Sequence, residues 1–174
     1  LKEEEVKAAF FVVTREAVKE EALIDRMLSE GHVVGFHSMD HQNAMVRGYL
    51  HTRKDFRTGS EFMKRKGISD IWYRPPWGLT NLFSWHFVRK YGMKMVLWDV
   101  MAEDWERGAT AGSIRKKCLS RVKDGSILCL HDGGRRTGGA PGAPEKTLEA
   151  LTYVIPALKE AGYRFILPSE SVFR

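Results

Sequence analysis

The stretch H-V-V-G-F-H-S-M-D-H, residues 32–41, decides the fold. It begins as a short apolar run, which is typical of a buried strand in a parallel sheet. It ends in His37 and His41, two histidines four positions apart. In a helical turn this spacing places both imidazoles on one face, where a divalent cation such as zinc can bind a nitrogen of each. Because the glutamate that follows the first histidine of a zincin is absent, surface or packing histidines remain the alternative.

Apolar runs and amphipathic segments alternate on both sides of this stretch. The apolar runs predict six strands, at residues 8–13, 32–36, 71–73, 94–100, 127–130 and 163–166. The amphipathic segments predict helices at residues 16–30, 50–66, 82–91, 113–123 and 144–161. Strands that alternate with helices predict an α/β fold with a parallel sheet, either open or closed into a barrel. A loop rich in glycine and arginine, residues 132–143, is interpreted as a substrate rim or a mobile flap and not as a domain boundary.

The composition limits the class of protein. The chain has 174 residues and a hydrophobic fraction of 43%, which is enough for one domain with its own core and excludes a disordered chain. No apolar run has the length of a membrane span, and no signal peptide is recognisable. Because Leu1 is not a methionine, we expect the sequence to begin inside a larger gene product.

Charge and cysteine content leave several partners open. The net charge of +6 favours anionic partners such as nucleic acid, acidic lipids or an anionic cell wall. The lysines and arginines are scattered among acidic residues, however, which indicates a solvated basic surface and not a nucleic-acid groove. Cys118 and Cys129 have no metal-type spacing, so we expect buried free thiols. The cysteines therefore do not distinguish an oxidising from a reducing cellular compartment.

Polar side chains end or directly follow four of the predicted strands. They are His37, Arg74, Asp99 and the pair His131–Asp132. Because the carboxyl ends of parallel strands meet at one edge, which is where such folds carry their chemistry, this pattern favours a catalytic site.

Four ordered motifs carry a resemblance to a known family. They are H-S-M-D-H at 37–41, R-P-P-W-G at 74–78, D-V-M-A-E-D-W at 99–105 and I-L-C-L-H-D at 127–132. Together with the strands that flank them, they resemble the polysaccharide deacetylases, the NodB homology domain enzymes of carbohydrate esterase family four. The resemblance spans nearly the whole chain. It implies a distorted (β/α) barrel of the polysaccharide deacetylase type, formed by a single domain over residues 1–174.

The same resemblance implies a function. The expected activity is metal-dependent hydrolysis of N-acetyl groups, which are carbon–nitrogen amide bonds, on a glycan such as peptidoglycan or a chitin-like oligosaccharide. The expected location is extracellular, at the surface or cell wall of a bacterium. Nucleic acid is not an expected partner.

The resemblance also assigns roles to individual residues. His37 and His41 would be the two imidazole ligands of a divalent metal, zinc in the first place, with cobalt or nickel as alternatives. Trp77 stands where the family has an aromatic residue whose backbone N–H stabilises the oxyanion of the substrate. Arg74 would orient the catalytic base.

A second group of roles concerns the leaving amine and the acetyl group. His131 would be the general acid that protonates the amine, with Asp104 as its carboxylate partner. Trp105 and Leu130 would line the slot for the acetyl methyl group.

One departure from the family pattern is large. Family members open with a strand that ends in a T-F-D-D-G type motif, whose first aspartate is the base and whose second completes the metal site. The sequence has no such motif, so we expect it to be truncated at its N-terminus with the first strand missing, and to lack the expected base. A less favoured alternative is that another acid substitutes, among Asp40, Asp99 and Asp132.

The missing strand implies a gap in the barrel wall, which strands 8–13 and 163–166 would face with unpaired backbone groups. We therefore expect the 174-residue chain to be inactive and to self-associate through this gap. The alternatives to the deacetylase function are an inactive glycan-binding relative, an O-acetyl esterase acting on a polysaccharide such as xylan, and an unrelated barrel hydrolase that uses His37 and His41 differently.

Overall fold

The computed structural model describes residues 1–133 and 138–168. It divides into two compact units, which are described in turn: residues 1–97 with 166–168, and the described residues between 98 and 165. Residues 134–137 of the predicted rim loop lie outside the described residues. The organisation as a single domain stays a prediction.

The first unit contains a parallel sheet in the order β1-β2-β3-β4. Its strands are β1 (Ala9–Val12), β2 (Val33–Phe36), β3 (Trp72–Tyr73) and β4 (Lys94–Met95). Its helices are α1 (Thr14–Ala17), α2 (Glu21–Ser29), α3 (Tyr49–Arg65) and α4 (Leu82–Lys90), with 3-10 turns at Ala44–Val46 and Pro76–Gly78. The core between sheet and helices is rich in aromatic side chains, including Phe36, Phe56, Phe62, Tyr73 and Phe87.

The register of this sheet brings the ends of its first three strands level. Val12 pairs with Phe36, and Phe36 pairs with Tyr73. The residues that directly follow β2 and β3 therefore start from the same edge of the sheet. His37 and Arg74 are these two residues.

A glycine allows helix α3 to approach the sheet closely. A Cβ atom added to Gly59 would lie 2.2 Å from the ring of Phe36, whose side chain is fully buried. No side chain can be accommodated there unless the ring moves. The close contact packs the last residue of β2 tightly against α3, immediately before the loop that carries the two histidines.

The second unit is built from a two-stranded parallel sheet and two longer helices. Its strands are β5 (Val100–Met101) and β6 (Leu128–Cys129), and its helices are α5 (Ala111–Arg121) and α6 (Ala143–Glu160). A capping box between Thr110 and Ser113 begins α5. The core of this unit contains Ile114, Cys118, Val154 and Leu158. As expected, Cys118 and Cys129 are both buried, and neither forms a disulfide bond.

Three predicted elements differ from the structure. The helix predicted at 16–30 is two helices, α1 and α2, separated at residues 18–20. The strand predicted at 94–100 is two strands, β4 and β5, which belong to different sheets. The strand predicted at 163–166 does not form: Tyr163 N–H donates to Leu158 C=O at 2.9 Å, so its backbone closes the end of α6 instead of joining a sheet.

The last of these differences changes the expected gap. From the sequence, segment 163–166 is expected to form one side of the gap, but it is not a strand and so has no strand edge with unpaired backbone groups. Strand β1 pairs with β2 and lies at the edge of its sheet as described. Self-association through β1 stays a prediction. Within residues 1–133 and 138–168, no helix is both long and apolar enough to cross a membrane.

The contrast between two helical glycines gives a test of this packing. We expect Gly59→Ala to lower the free energy of unfolding by about 2 kcal/mol, because the new methyl group collides with the Phe36 ring. Gly112 in α5 is the matched control: an added Cβ there meets nothing closer than 3.8 Å. Gly112→Ala is therefore expected to stabilise by about 0.5 kcal/mol. Urea unfolding followed by tryptophan fluorescence measures both, and an equal effect of the two substitutions would contradict the close packing of α3.

Candidate active site

The two motif histidines lie in a loop that directly follows β2. His37 N–H donates to Val12 C=O at 3.0 Å, so the backbone pairing continues one residue beyond the strand. The imidazole rings of His37 and His41 have centroids 5.0 Å apart at an interplanar angle of 62°. The expectation that the two rings lie close together is confirmed.

The expected helical turn between them is wrong. Ser38 and His41 both have positive φ, 68° and 54°, which a right-handed helix excludes. Ser38 provides the alternative: its hydroxyl oxygen accepts a hydrogen bond from His41 N–H at 2.8 Å. Such a local side-chain bond competes with a helical turn, and here it folds the loop back so that the second ring approaches the first.

The ring of His37 is fixed by the residue that follows the neighbouring strand. The His37 Nδ1 atom lies 2.6 Å from the carbonyl oxygen of Arg74. Since a carbonyl oxygen only accepts, Nδ1 carries the proton and Nε2 carries the lone pair. A metal-binding histidine is oriented in the same way, by a carbonyl or carboxylate on its second nitrogen.

Trp77 lies against the other histidine. Its ring centroid is 4.5 Å from that of His41, and 57% of its surface is exposed. Its φ of 54° places it in the left-handed region, within the turn Pro76–Gly78. The turn thus presents the indole beside the imidazole, with one face of the ring toward solvent.

Arg74 is held at several points in the same unit. Its N–H donates to Phe36 C=O at 3.0 Å, and its Nη2 donates to Leu97 C=O at 2.9 Å. Its guanidinium carbon lies 4.1 Å from the centroid of the Phe11 ring, a cation–π contact. The structure fixes the orientation of this side chain, while its predicted role toward a catalytic base stays a prediction.

The donor set of the loop fits part of a metal site. Imidazoles are ligands that zinc, cobalt and nickel prefer. The hydrogen bond from His37 Nδ1 to a backbone carbonyl leaves the lone pair on Nε2, as in histidines that bind a metal. Over residues 1–133 and 138–168, however, no group of three or more His, Cys, Asp or Glu side chains could hold a metal ion. Among the described residues, the loop thus offers two imidazoles, and their role as metal ligands stays a prediction.

A buried carboxylate on α3 supports the histidine loop from below. Asp55 is 8% exposed and accepts a hydrogen bond from Met39 N–H. Burial raises the pKa of Asp55 to about 7, with the charge of Asp40 acting in the same direction and the Met39 N–H in the opposite one. Sequence reasoning missed this residue, because nothing in the spacing of 39 and 55 shows that they meet.

In the second unit, Asp104 and His131 form the predicted hydrogen bond. Asp104 Oδ1 lies 2.8 Å from His131 Nδ1, and Asp104 Oδ2 accepts from His131 N–H at 2.7 Å. Asp104 has no exposed surface, whereas the His131 side chain is 38% exposed. The contact between these two residues is confirmed; their catalytic roles stay predictions. Because Asp104 follows β5 and His131 follows β6, both stand at the carboxyl edge of that sheet.

Electrostatics keeps the buried carboxylate ionised. Burial acts to raise the pKa of Asp104, but the hydrogen bonds from His131 and Thr147 outweigh it and hold the pKa below its usual value. The Thr147 hydroxyl donates to Asp104 Oδ2 at 2.9 Å. Sequence reasoning missed Thr147, since a lone threonine inside an amphipathic helix carries no signal of its own.

The residues on either side of Asp104 are also held. Glu103, with a φ of 50°, forms ion pairs with Lys117 at 2.6 Å and Arg121 at 3.1 Å, both on α5. The C=O of Trp105 accepts from Ala140 N–H at 2.9 Å. Three successive residues of this loop are thus bound to different parts of the unit.

The predicted acetyl-slot residues have different surroundings. The Trp105 ring has its centroid 4.7 Å from that of His131, at an interplanar angle of 71°. Leu130 is partly buried and packs against the hydrophobic core of the second unit. Their role as slot residues stays a prediction.

Two of the three candidate substitute bases are engaged elsewhere. Asp40 Oδ2 forms an ion pair with Arg15 at 3.2 Å. The prediction that Asp99 ends a strand is wrong, because this residue directly precedes β5. Its carboxylate accepts a hydrogen bond from Ile127 N–H at 2.8 Å. This places Asp99 at the amino ends of β5 and β6, the edge opposite to His131. Asp132 is exposed and directly follows His131.

The high pKa of Asp55 has a measurable consequence. The unfolded chain ionises this carboxyl near pH 4, whereas the folded protein does so at about 7, so this group lowers stability as pH rises from 4 to 7. Asp55→Asn keeps the acceptor oxygen and removes the charge. Chemical unfolding measures the free energy of unfolding of the variant and of wild type. The difference between them is expected to grow in favour of the variant by on the order of 3 kcal/mol from pH 4 to pH 8. A difference that stays constant across this range would contradict the burial of a titrating Asp55.

Comparisons with known proteins agree with the motifs and the geometry. The family model described as "Polysaccharide deacetylase" matches residues 1–96. The chain is 29% identical over 172 residues to a peptidoglycan-N-acetylglucosamine deacetylase of Bacillus cereus. The aligned region covers 98% of this chain and 77% of that protein. It is 30% identical over 171 residues to the peptidoglycan-N-acetylglucosamine deacetylase PgdA of Listeria monocytogenes, which covers 98% of this chain and 34% of that protein.

A solved structure extends the likeness to three dimensions. A family 4 acetyl xylan esterase from Clostridium thermocellum, in complex with a cobalt ion, superposes with a TM-score of 0.82 at 29% identity, covering 96% of this chain and 77% of that one. The α/β barrel-type fold expected from the sequence is thereby confirmed. The family match covers more than half of the 174 residues. The chain belongs to the polysaccharide deacetylase family, the NodB homology enzymes of carbohydrate esterase family four.

Proposed function

We propose that this protein is a metal-dependent deacetylase that removes N-acetyl groups from a glycan, peptidoglycan in the first place or a chitin-like oligosaccharide. The observation that carries the proposal is the buried Asp104 carboxylate held against His131. Two relatives that are named peptidoglycan-N-acetylglucosamine deacetylases support the choice of glycan. The location that follows is outside the cell or at its surface, where peptidoglycan lies.

Amide hydrolysis places a demand on the leaving group that His131 can meet. An amine is expelled only when its nitrogen gains a proton as the carbon–nitrogen bond breaks. With Nδ1–H donating to Asp104, the ring can present a proton on Nε2 to that nitrogen. The buried carboxylate stabilises the ring while it is charged and takes up no proton itself, because its pKa is held low. Water supplies the hydroxyl group of the acetate product.

The loop of the first unit has the complementary task. His37 and His41 would hold the divalent cation, which, when bound, polarises the acyl carbonyl and increases the nucleophilicity of water. The backbone N–H of Trp77 would donate to the oxygen on which negative charge develops. Arg74 would orient the carboxylate that removes a proton from water. No residue of the described ranges is assigned as this carboxylate.

A second candidate function is hydrolysis of O-acetyl esters on a polysaccharide such as xylan. The similarity to an acetyl xylan esterase favours it. An alkoxide leaves more easily than an amide nitrogen, so an ester makes a weaker demand on the general acid. The separation of the two functions therefore depends on how strongly turnover requires His131.

Paired substrates test the role of His131. Because the 174-residue chain is expected to lack the base, turnover is tested in a version that carries a T-F-D-D-G type segment ahead of residue 1. In that version we expect His131→Gln to reduce acetate release from N-acetylated glycan fragments by roughly 10²- to 10⁴-fold. Hydrolysis of an aryl acetate should fall much less, because a phenolate leaves without protonation. The control is His86→Gln, an exposed histidine on α4. Acetate is measured by an enzyme-coupled assay and phenol release by absorbance, with zinc or cobalt supplied.

Three results would count against the deacetylase proposal. Equal losses on amide and ester would remove His131 as general acid. Turnover of acetylated xylan with none of N-acetylated glycan would establish the esterase alternative. Binding of glycan without release of acetate would establish the inactive, glycan-binding alternative.

The metal assignment has its own test. We expect His37→Ala and His41→Ala each to weaken cobalt or zinc binding by more than about 100-fold, since a ligand matters more than the groups that orient it. His86→Ala should bind as the unaltered protein does. Calorimetric titration gives the affinities, and the visible spectrum of bound cobalt reports the ligand set. Unchanged affinity in both loop variants would show that these histidines are not ligands.

A further inference from the structure

The carboxylate of Asp104 receives three hydrogen bonds from two directions. Oδ1 faces the His131 ring nitrogen at 2.8 Å, and Oδ2 accepts from the backbone N–H of the same residue at 2.7 Å. The remaining donor comes from α6, where the Thr147 hydroxyl lies 2.9 Å from Oδ2. Asp104 and Thr147 are both buried, at 0% and 5% exposure, so water has little access to replace a lost donor.

The single hydroxyl proton of Thr147 has two acceptors in reach. One is Asp104 Oδ2 at 2.9 Å, and the other is the C=O of Ala143, one turn earlier in α6, at 3.1 Å. The carboxylate is charged, and hydrogen bonds to ionised acceptors are roughly twice as strong as those to neutral ones. The shorter hydrogen bond is thus also the stronger one, so the Thr147 hydroxyl donates to the Asp104 carboxylate and not to Ala143 C=O.

We infer that Thr147 is a positioning residue for the general acid, which acts on His131 through the orientation of the Asp104 carboxylate. The inference rests on the proposed deacetylase function. It adds a residue that lies on α6, 43 positions from Asp104, outside all four motifs. Thr147 touches neither reacting atom.

The geometry explains why two donors from His131 do not suffice. Both come from one residue, so the carboxylate and the imidazole can tilt together about the backbone of His131. The Thr147 hydroxyl comes from a separate helix and fixes Oδ2 relative to the core of the unit. With Oδ2 fixed, Oδ1 stays in line with Nδ1, and the ring keeps the tautomer that has its proton on Nδ1 and not on Nε2.

A purely structural role for Thr147 predicts different behaviour. A threonine that only fills space can be replaced by valine, which has nearly the same shape, without effect on the ring of His131. A threonine that positions the carboxylate cannot, because valine leaves Oδ2 with one donor fewer in a dry environment. The chain offers a matched control in the same helix: Thr152, whose hydroxyl donates to its own helix at Glu149 C=O, 2.7 Å away, and is exposed.

The experiment compares Thr147→Val, Thr147→Ser and Thr152→Val in the full 174-residue chain. Nitrogen-15 NMR of the neutral His131 ring distinguishes the Nδ1–H from the Nε2–H tautomer without any turnover. We expect Thr147→Val to lose a measurable part of the Nδ1–H population and to raise the pKa of Asp104, read from its carboxyl carbon. Thr147→Ser should restore both, and Thr152→Val should match the unaltered protein.

Kinetics provides the second readout. In the version that carries the T-F-D-D-G type segment, release of acetate from N-acetylated glycan should fall roughly 10-fold in Thr147→Val through kcat with KM unchanged, the size of effect seen when a group that orients a catalytic residue is removed. Hydrolysis of aryl acetate should change little.

The ring spectrum decides the inference. An Nδ1–H population in Thr147→Val equal to that of Thr152→Val overturns it, as does a loss that serine fails to restore. Absence of acetate release from the otherwise unaltered version with the T-F-D-D-G type segment would count against the proposed function alone, since the spectrum reports the orientation of His131 whether or not the protein turns over substrate. A melting curve for each variant confirms that the folded protein is being compared.

Discussion

The structure of the first unit depends on a backbone ladder that continues one residue past its strands. His37 N–H donates to Val12 C=O, and Arg74 N–H donates to Phe36 C=O, each at 3.0 Å. Each of these two candidate site residues is therefore still bound to the neighbouring strand while its side chain already stands beyond the edge. The same constraint brings the Arg74 carbonyl to His37 Nδ1. The direction of one imidazole thus follows from the pairing of three parallel strands.

The second unit solves a different problem, that of keeping a charge where water cannot reach it. An isolated carboxylate in such a place would take up a proton. Asp104 stays ionised because donors from its own histidine and from α6 occupy both oxygens. The loop that carries it is secured on either side, by Glu103 to α5 and by Trp105 to Ala140. Rigidity of this kind is what a group needs if it is to orient a neighbour and not merely contact it.

Much of this architecture could be predicted from local patterns. The apolar run before His37 gives β2 within one residue, and Asp104 and His131 meet as the motifs require. The differences arise where distant contacts decide. Ser38 folds its own loop through a side-chain bond, which the i, i+4 spacing of the histidines conceals. Residues 94–100 look like one strand because each half is apolar, yet each half pairs with a different neighbour.

Residues such as Asp55 and Thr147 were beyond prediction for the same reason. Each is a single polar side chain on an amphipathic helix, and its partner is 16 or 43 residues away. Only the folded chain shows that the partner lies in a loop that carries candidate site residues.

In the described part of the chain, four of the five non-glycine residues with positive φ lie in loops of one or the other unit that carry candidate site residues: Ser38, His41, Trp77 and Glu103. Each such conformation costs about 1 kcal/mol or more that the rest of the fold must offset. Replacement by glycine would relieve this strain at any of the four. It would also delete an imidazole, an indole or an anchoring side chain. Variants selected for heat resistance alone would thus be expected to lose the side chains on which the proposed chemistry depends.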